Sequence, residues 1–262
     1  MSDERYLHGH HDSVLRSHRW RTAENSAAYF VKVIEPDWVI LDVGCGPGSI
    51  TADFASLVPD GHVIGIDASP EVLSEAATTS PSTPFLAADL FALPFEADSV
   101  DAVHMHMVLQ HVPDPVGALR AVKDIVRPGG VIAARDSDYS AMRWSPPSPL
   151  LDRWMAIYQA SARLSGGEPN AGQFLSSWAA EAGLDDVTSS SSTWVYDTPE
   201  KREWWGSLWS ERIVASRFAD VVLENSLATR EELESISEDW LRFASSSDGR
   251  FEVPCGEILC RV

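Results

Sequence analysis

The sequence predicts an α/β fold in which helices cover a doubly wound, mostly parallel sheet. The first observation is the stretch Val39 to Thr51, where an apolar run ends at an acid, enters a glycine-rich loop and continues with helical spacing. The second is that short apolar runs then alternate with helical patterns, which favours parallel strands joined by helical crossovers. The third is that acids follow several of these runs, at the strand ends where such sheets bind ligands.

The part of the chain before this loop is predicted to be helical. Apolar residues between Asp12 and Val33 recur with helical rather than alternating spacing, and Pro36 ends the pattern. We therefore expect residues 1–38 to form a helical lead-in that covers the sheet.

Four more strands and three helices are predicted between the loop and residue 138. One helix follows the loop, a second begins at Ser69 with Pro70 in its first turn, and a third covers Val116 to Val126, where Arg127 to Gly130 close it. Residues 39–138 thus form the predicted ligand-binding core. Its predicted strands after the first are His62 to Ile66, Phe85 to Ala88, Ser99 to Met105 and Val131 to Ala134.

The second half of the chain has longer helical patterns and two strands. Residues 199–247 are predicted as a helical insertion before the last strand, placed beside the sheet as a lid, so that residues 1–262 form a single domain. The last strand is expected to be antiparallel or at an edge. The predicted elements are helices at Pro149 to Leu164, Gln173 to Ala182 and Pro199 to Ala244, and strands at Val187 to Tyr196 and Phe251 to Val262.

Composition excludes several classes of partner. The formal net charge of -19 repels phosphate backbones and anionic lipid, so no nucleic acid and no membrane is predicted as a partner. The three cysteines are an odd number and one of them, Cys45, lies in the glycine loop, which favours a reducing compartment. With neither a leader nor a membrane-spanning run in the sequence, a cytoplasmic location is expected.

The glycine loop has the pattern Gly44-x-Gly46-x-Gly48, with Ser49 where a dinucleotide fingerprint has its third glycine. Glycine suits such a loop because a residue without Cβ adopts positive φ and lets a ligand approach the main chain. Asp42 lies just before the loop. Asp67 ends the next strand, where an acid accepts hydrogen bonds from both hydroxyls of a ribose.

These residues resemble the class I S-adenosylmethionine-dependent methyltransferases, in the branch similar to ubiquinone/menaquinone biosynthesis C-methyltransferases. The resemblance implies a Rossmann-like fold with a seven-stranded sheet, S-adenosylmethionine as cofactor and methyl transfer to O, N, S or activated C of a small molecule. It covers about Val39 to Asp138. The matching segments are Leu41 to Gly48, Gly65 to Asp67, Ala88 to Leu90, Val108 to Val112 and Leu119 to Gly130.

The predicted cofactor contacts follow from this resemblance and from the strand ends. Asp67 is expected at the ribose and Asp89 with Leu90 at the adenine, while the main chain of His106 meets the methionine portion. Arg21 of the lead-in is expected to neutralise the cofactor carboxylate, although a surface helix position explains it equally well. The complete predicted set is Arg21, Asp42, Gly44, Gly46, Gly48, Asp67, Ala68, Asp89, Leu90 and His106.

Catalysis by methyl transfer needs alignment more than acid and base chemistry, because the sulfonium methyl is already activated. A base would be needed only for a protonated nucleophile, and we predict His111 and Asp136 for that role. A packed histidine and a turn cap are the alternatives. His104 and His106 have a spacing that also suits a metal, as does the group His8, His10 and His11, but no metal is predicted.

The acceptor is predicted to be a small molecule, neutral or cationic in view of the net charge. Trp204, Trp205 and Trp209 lie near helical spacing and form either core or an apolar lid for a flat substrate. Three other functions stay open: a nicotinamide-dependent oxidoreductase, a non-catalytic S-adenosylmethionine-binding regulator or partner, and a protein methyltransferase. A homodimer is also kept open.

Overall fold

The computed structural model describes residue 7 and residues 12–262. His8, His10 and His11, whose spacing suits a metal, lie outside the described residues. Within the described residues, eight strands form one sheet. They are β1 (Val39–Val43), β2 (His62–Asp67), β3 (Phe85–Ala87), β4 (Val100–His106), β5 (Val126–Ser137), β6 (Arg143–Ser145), β7 (Asp186–Tyr196) and β8 (Arg250–Arg261).

The order of the strands confirms the doubly wound fold. It is β3-β2-β1-β4-β5-β8, with β7 paired to the other side of β8, and the first five strands run parallel. The chain order reverses at β1, which lies between β2 and β4. Open α/β sheets bind their ligands at such a reversal, beyond the carboxyl ends of the strands.

Eleven α-helices accompany this sheet in the described part of the chain. The first three form the lead-in, three more connect the parallel strands, and five belong to the second half. They are α1 (Asp12–Arg19), α2 (Ala23–Ser26), α3 (Ala28–Val31), α4 (Ser49–Leu57), α5 (Pro70–Thr79), α6 (Pro115–Lys123), α7 (Pro149–Leu164), α8 (Leu175–Glu181), α9 (Pro199–Ala215), α10 (Arg217–Glu224) and α11 (Arg230–Ser245).

The sheet has one strand more than the seven expected. The additional strand is β6, three residues that pair antiparallel with the start of β8 through Trp144 and Phe251. It lies beyond the segment of β8 that pairs with β5, so it extends the sheet without changing the strand order. A run this short carries no alternation that the sequence could reveal.

Strand β5 is longer than expected at both ends. It begins at Val126, which pairs with Val100, and a register shift precedes the pair of Ala102 with Val131. The predicted end of the third connecting helix at Arg127 to Gly130 is therefore wrong, because α6 ends at Lys123 and those residues belong to β5. At its other end β5 includes Asp136, which was expected to follow the strand.

Strand β8 is antiparallel, as expected, but it does not form an edge. It lies between β5 and β7, and residues on both sides pair with it: Asp136 and Ser191 both lie opposite Gly256. The edge strand on this side of the sheet is β7. Two segments far apart in the chain, residues 131–137 and 186–196, are thus joined through β8.

The helices of the second half share an aromatic core. Trp154 of α7 lies 4.7 Å from Trp209 of α9 and 5.0 Å from Trp240 of α11, measured between ring centroids, and all three are buried. Trp209 therefore belongs to the core, and Trp205 belongs to the same buried cluster but also lines a cavity, as does Trp204. Over the residues described, none of the helices has the length and apolar character needed to cross a bilayer.

Candidate active site

The loop after β1 lies at the reversal of strand order and lines a cavity there. Gly44 and Gly46 both have positive φ, at 66° and 54°. A Cβ built on Gly44 would lie 2.6 Å from Cγ2 of Val108, a distance that real Cβ atoms do not adopt. The main chain of this loop can therefore face the cavity closely only because these positions are glycine.

Gly48, also predicted as a cofactor contact, does not line the cavity. It precedes α4 with φ of 78°, and a Cβ there would lie 3.0 Å from Cβ of Ala76 and 3.1 Å from the Phe85 ring. This glycine is thus required by the start of α4 and by its packing on α5 and β3. Its contact with the cofactor stays a prediction.

Asp67 ends β2 and faces the cavity beside the loop. Its Oδ2 accepts a hydrogen bond from the Gly46 N–H at 3.1 Å, and its Oδ1 accepts one from the Ser69 N–H at 3.0 Å. Two backbone donors therefore fix the carboxylate in place, and carboxylate oxygens retain lone pairs for further donors. Ala68, Asp89 and Leu90 line the same side of the cavity.

Asp42 is buried in β1 and holds the strands around the loop together. Its Oδ1 lies 2.8 Å from Nδ1 of His104 on β4, and its Oδ2 accepts a hydrogen bond from the Thr51 hydroxyl on α4 at 2.5 Å. Both oxygens are therefore engaged by the protein. Asp42 positions the glycine loop as well as lining the cavity.

The cavity has two distinct walls. We call the loops that follow β1, β2 and β3 the donor wall; its cavity-lining residues include Gly44, Cys45, Gly46, Asp67, Ala68, Ser69, Asp89 and Leu90. We call the residues contributed by the lead-in, the end of β4, the segment after β5, the end of β7 and α9 the acceptor wall. They include Trp20, Arg21, His106, Tyr139, Met142, Trp194, Tyr196, Trp204, Trp205 and Arg212.

Aromatic rings in contact build the acceptor wall. Trp20 packs 5.4 Å from Trp194 and 5.2 Å from Trp204, and Tyr196 stacks on Trp205 at 4.4 Å, all between ring centroids. Most side chains of this wall are aromatic or otherwise apolar, as in small-molecule sites.

Three polar groups interrupt this apolar surface without a partner of their own. Both ring nitrogens of His106, the hydroxyl of Tyr196 and Nε1 of Trp205 are buried and make no hydrogen bond within the described residues. The side chains are 6%, 1% and 7% exposed. Buried polar groups normally have partners, so their shared position on a cavity points to a ligand.

The electrostatics of these groups keep them uncharged. Burial, reinforced by the charges of Arg21 and Arg135, holds the pKa of His106 well below its usual value. Burial raises the pKa of Tyr196 above its usual value, so the phenol keeps its proton. Each group thus meets a ligand as a neutral hydrogen-bonding partner.

The helical lead-in lies against the cavity and is tied to both walls. Nε1 of Trp194 donates to the Asn25 carbonyl at 2.7 Å, and the Ser49 hydroxyl donates to the His18 carbonyl at 3.2 Å. Arg212 of α9 donates to the Ser13 carbonyl at 2.8 Å. Arg21, predicted at the cofactor carboxylate, lies over the Trp194 ring at 5.8 Å and therefore on the acceptor wall.

Of the two predicted bases, only His111 lines the cavity. Its Nε2 lies 3.1 Å from Nε2 of Gln110, and burial together with the charge of Arg21 lowers its pKa to about 3. A histidine with this pKa is a weak proton acceptor at neutral pH.

Asp136 is the second predicted base, and the structure places it beneath the cavity wall. It is fully buried in β5, where Oδ1 accepts a hydrogen bond from the Gln110 N–H at 3.1 Å. Burial raises its pKa to about 7 although the backbone hydrogen bonds of Gln110 and Leu109 oppose that shift. Asp136 thus supports the turn that carries His111, and its role as a base stays a prediction. Asp138 caps a turn, accepting from the Ser140 N–H at 3.0 Å.

Most of the acceptor wall was not identified from the sequence. The sequence patterns do not mark Trp20, Tyr139, Trp194 or Tyr196 as site residues, and they place Trp205 only in core or lid. One available signal was the pair Trp194 and Tyr196, two residues apart at the carboxyl end of a strand and hence on one face. In the described part of the chain, no three His, Cys, Asp or Glu side chains are grouped to hold a metal ion.

Comparison with known proteins identifies the class. Residues 41–134 match a family profile described as a methyltransferase domain. An uncharacterized methyltransferase of Schizosaccharomyces pombe is 33% identical over 97% of this chain and 95% of its own length. The demethylmenaquinone methyltransferase of Roseiflexus castenholzii is 30% identical over 52% of this chain and 57% of its own length.

The fold agrees with this similarity. The phosphoethanolamine N-methyltransferase 2 of Haemonchus contortus, solved with S-adenosylhomocysteine, superposes with a TM-score of 0.54 at 16% identity. The superposition covers 87% of this chain and 49% of that protein, so the chain spans about half its length. The chain belongs to the class I S-adenosylmethionine-dependent methyltransferases. It is an enzyme that uses S-adenosylmethionine as its cofactor, and the nicotinamide-dependent and non-catalytic alternatives are set aside.

Proposed function

We propose that this methyltransferase acts on a small molecule held between the donor wall and the acceptor wall. The observation that carries the proposal is that one cavity joins the glycine loop to an aromatic surface with unpartnered polar groups. A donor and an acceptor can therefore meet in one enclosed space, as alignment for methyl transfer requires.

The donor wall fits S-adenosylmethionine in two respects. The main chain at Gly44 and Gly46 lines the cavity with positive φ and without side chains, and Asp67 presents a fixed carboxylate suited to ribose hydroxyls. We assign Ala68, Asp89 and Leu90 to the adenine side, and the main chain of His106 to the methionine side. When bound, the cofactor supplies a methyl group on a positively charged sulfur.

The enzyme's own contribution is then alignment and exclusion of water. The lead-in closes over the cavity through the bond of Trp194 to Asn25 and the contact of Arg212 with Ser13. The low pKa of His111 makes it a weak base, so proton removal by His111 is a minor part of the mechanism. Orientation of the two reactants in a dry site can contribute roughly 7 to 11 kcal/mol.

Enclosure also favours a small molecule over a protein acceptor. A protein side chain would have to pass the lead-in residues that line the cavity, whereas a free small molecule fits inside it. Aromatic side chains surrounding a cavity with a few polar groups are typical of small-molecule sites. The cytoplasmic location stays a prediction, and a homodimer stays open.

The proposal is tested first by binding and then by turnover. Titration calorimetry is expected to show binding of S-adenosylmethionine and S-adenosylhomocysteine but not of NAD. Incubation with radiolabelled S-adenosylmethionine and a cell extract, separated by size, is expected to place the label in the low-mass fraction. Label in the protein fraction alone would contradict the small-molecule acceptor, and a lack of any transfer would contradict the proposal as a whole.

A further inference from the structure

The polar groups of the acceptor wall restrict the chemistry of the acceptor. Trp205 offers only a donor through Nε1, while the protonated hydroxyl of Tyr196 and the neutral ring of His106 each offer a donor and an acceptor. Because all three are buried and unpartnered among the described residues, a bound molecule that satisfies them gains specificity. A molecule with at least one oxygen acceptor, placed toward Trp205, meets this requirement.

The charged residues that line the cavity are separated by sign: the acids lie on the donor side and the arginines on the acceptor wall. Among the described residues, the cavity-lining acids are Asp42, Asp67 and Asp89, and all three belong to the strand ends of the donor side. The acceptor wall carries Arg21 and Arg212 instead.

The positive charge of Arg21 shifts the pKa values of the titratable groups around it. It lowers the pKa of His106 and His111, and it opposes the upward shifts of Tyr139 and Tyr196. Arg212 acts on Tyr139 in the same direction. An anion is therefore favoured on this wall, and a cationic amine is disfavoured.

Four titratable side chains around this wall are poor bases. His106 and the neighbouring His111 keep their rings neutral and bind a proton weakly, while Tyr139 and Tyr196 keep their phenolic protons. An acceptor that must lose a proton during the reaction gains little help from these four side chains. An acceptor that arrives already ionised needs none.

We propose that the acceptor is a flat, apolar molecule with an ionised oxygen acid, and that the enzyme methylates that oxygen. In this assignment Arg21 attracts the anion, and Trp205 and Tyr196 orient it by hydrogen bonds. A lone pair of the oxygen forms the new bond to the methyl carbon as the carbon–sulfur bond breaks, its electron pair stays on sulfur, and S-adenosylhomocysteine leaves. No proton is transferred. This inference rests on the proposed function and replaces the neutral or cationic acceptor expected from the net charge.

The first test identifies the atom that receives the methyl group. The enzyme is incubated with cell extract and S-adenosylmethionine carrying a carbon-13 methyl, and the labelled product is examined by NMR. A methyl ester or methyl ether supports the inference. A methyl group on nitrogen, sulfur or carbon overturns it while leaving the proposed function intact, whereas no transferred label at all overturns both.

The second test measures the charge preference of the wall directly. Benzoate, benzyl alcohol and benzylamine share one ring and differ in charge, and their binding to the enzyme with S-adenosylhomocysteine is measured by calorimetry. Benzoate is expected to bind at least about tenfold more tightly than benzylamine. Equal binding of the three, tighter binding of benzylamine, or no binding of any contradicts the inference.

The third test separates the two roles available to Arg21. Arg21→Gln is expected to weaken benzoate binding by about tenfold and to leave the affinity for S-adenosylmethionine unchanged. Arg19→Gln is the matched control, since Arg19 belongs to the same lead-in but pairs with Glu75 away from the cavity. A loss of S-adenosylmethionine affinity in Arg21→Gln would place this side chain at the cofactor carboxylate and overturn the assignment.

The hydrogen bond of Trp205 is tested by Trp205→Phe, which removes Nε1 and keeps an aromatic ring. Benzoate binding is expected to weaken by about fivefold, with S-adenosylmethionine affinity unchanged. Trp240→Phe is the control, because Trp240 also has a buried unpartnered Nε1 but does not line the cavity. Equal effects of the two substitutions would show that Trp205 acts through packing alone.

Discussion

The donor wall and the acceptor wall are built in opposite ways. On the donor wall, Asp42 and Asp67 have both carboxylate oxygens engaged by neighbouring strands and loops before any ligand binds. On the acceptor wall, His106, Tyr196 and Trp205 are buried without partners in the described part of the chain. The protein thus satisfies these polar groups of the donor wall by itself, whereas these three groups of the acceptor wall lack hydrogen-bond partners until a ligand binds.

This difference indicates where rigidity and where specificity reside. A donor site that keeps its shape without ligand costs little to organise when the cofactor binds, since the loop is already in place. Unpartnered buried groups cost stability until a matching molecule satisfies them, so they discriminate strongly against molecules that cannot. Substitutions on the donor wall should therefore affect cofactor affinity, and those on the acceptor wall the choice of substrate.

The largest effect is expected at Gly44, because the contrast between the two walls depends on a rigid glycine loop. Gly44→Ala forces a Cβ to within 2.6 Å of Val108 in a residue with φ of 66°. Affinity for S-adenosylmethionine is expected to fall on the order of 1000-fold, or about 4 kcal/mol, by calorimetry. Gly129→Ala is the control, because Gly129 also has positive φ but has no atom within 4 Å of the added Cβ.

A double variant sharpens this prediction. Val108→Ala removes the methyl group that the new Cβ would meet, so Gly44→Ala with Val108→Ala should recover part of the affinity. If Gly44→Ala binds the cofactor as the unaltered enzyme does, the loop is pliable and the contrast between the two walls fails.

The next effect concerns Asp136, which supports the turn that approaches the acceptor wall. Its folded pKa of about 7 exceeds the ordinary value of 3.8, so the folded protein holds a proton that the unfolded chain releases. Stability is therefore expected to fall as the pH rises from about 4 to about 7. Asp136→Asn cannot ionise and should be more stable than the unaltered enzyme by on the order of 3 kcal/mol at about pH 8.

Urea unfolding at about pH 4 and about pH 8 measures this difference. The two proteins should agree at the lower pH, because an asparagine resembles a protonated aspartic acid and can still accept from the Gln110 N–H. Asp138→Asn is the control in the following turn. A variant that is less stable at both pH values would mean that the ionised carboxylate stabilises the fold.

Substitution of Asp67 tests the polar contact that the donor wall is expected to make with the cofactor ribose. Asp67→Ala removes the carboxylate expected at the ribose and should weaken S-adenosylmethionine binding by on the order of 1.5 to 3 kcal/mol. Asp60→Ala, on an exposed loop, serves as the control for the loss of one negative charge. Calorimetry with unchanged affinity in Asp67→Ala would mean that the ribose lies elsewhere.

Substitution of Trp194 tests whether the acceptor wall depends on its contact with the helical lead-in. Trp194→Phe removes the hydrogen bond to the Asn25 carbonyl and part of the contact with Trp20. Hydrogen exchange of residues 12–33 should accelerate by about fivefold, or about 1 kcal/mol, with little change in cofactor affinity. Trp178→Phe is the control, since Trp178 packs on Phe174 away from the cavity. An unchanged rate of hydrogen exchange would mean that other contacts hold the lead-in in place.

The smallest effect is expected at His111. Its pKa of about 3 leaves it a weak base, so His111→Gln should lower kcat/KM by less than about tenfold. No ionisation of this side chain should appear in the pH profile between about pH 5 and about pH 8. A loss of more than about 100-fold would instead restore His111 as the general base.

The donor wall could be predicted because its parts are local. The glycines and Asp42 lie in one stretch, and Asp67 follows at the end of the next strand, so spacing along the chain reflects proximity in space. Gly48 shows the limit of such a pattern, since its left-handed conformation also suits the start of α4. A pattern shows that glycine is required and does not reveal which neighbour requires it.

The acceptor wall could not be assembled from the sequence because its parts are distant. Trp20, Tyr139, Trp194 and Trp205 come from four segments that only the tertiary structure brings together. Strand β5 was underestimated for a different reason. Pro128 with Gly129 normally marks the end of an element, but here the chain continues past a register shift, and the Gly129 N–H donates to the Val262 carbonyl at 2.6 Å.

The position of β8 couples the two halves of the sheet mechanically. Within the described residues, β7 joins the sheet through β8, which pairs on its other side with β5. Trp194 and Tyr196 therefore depend on β8 for their position relative to the parallel strands. A substitution that loosens this one strand would displace the surface that faces the acceptor, while the glycine loop and Asp67 keep the strands that carry them.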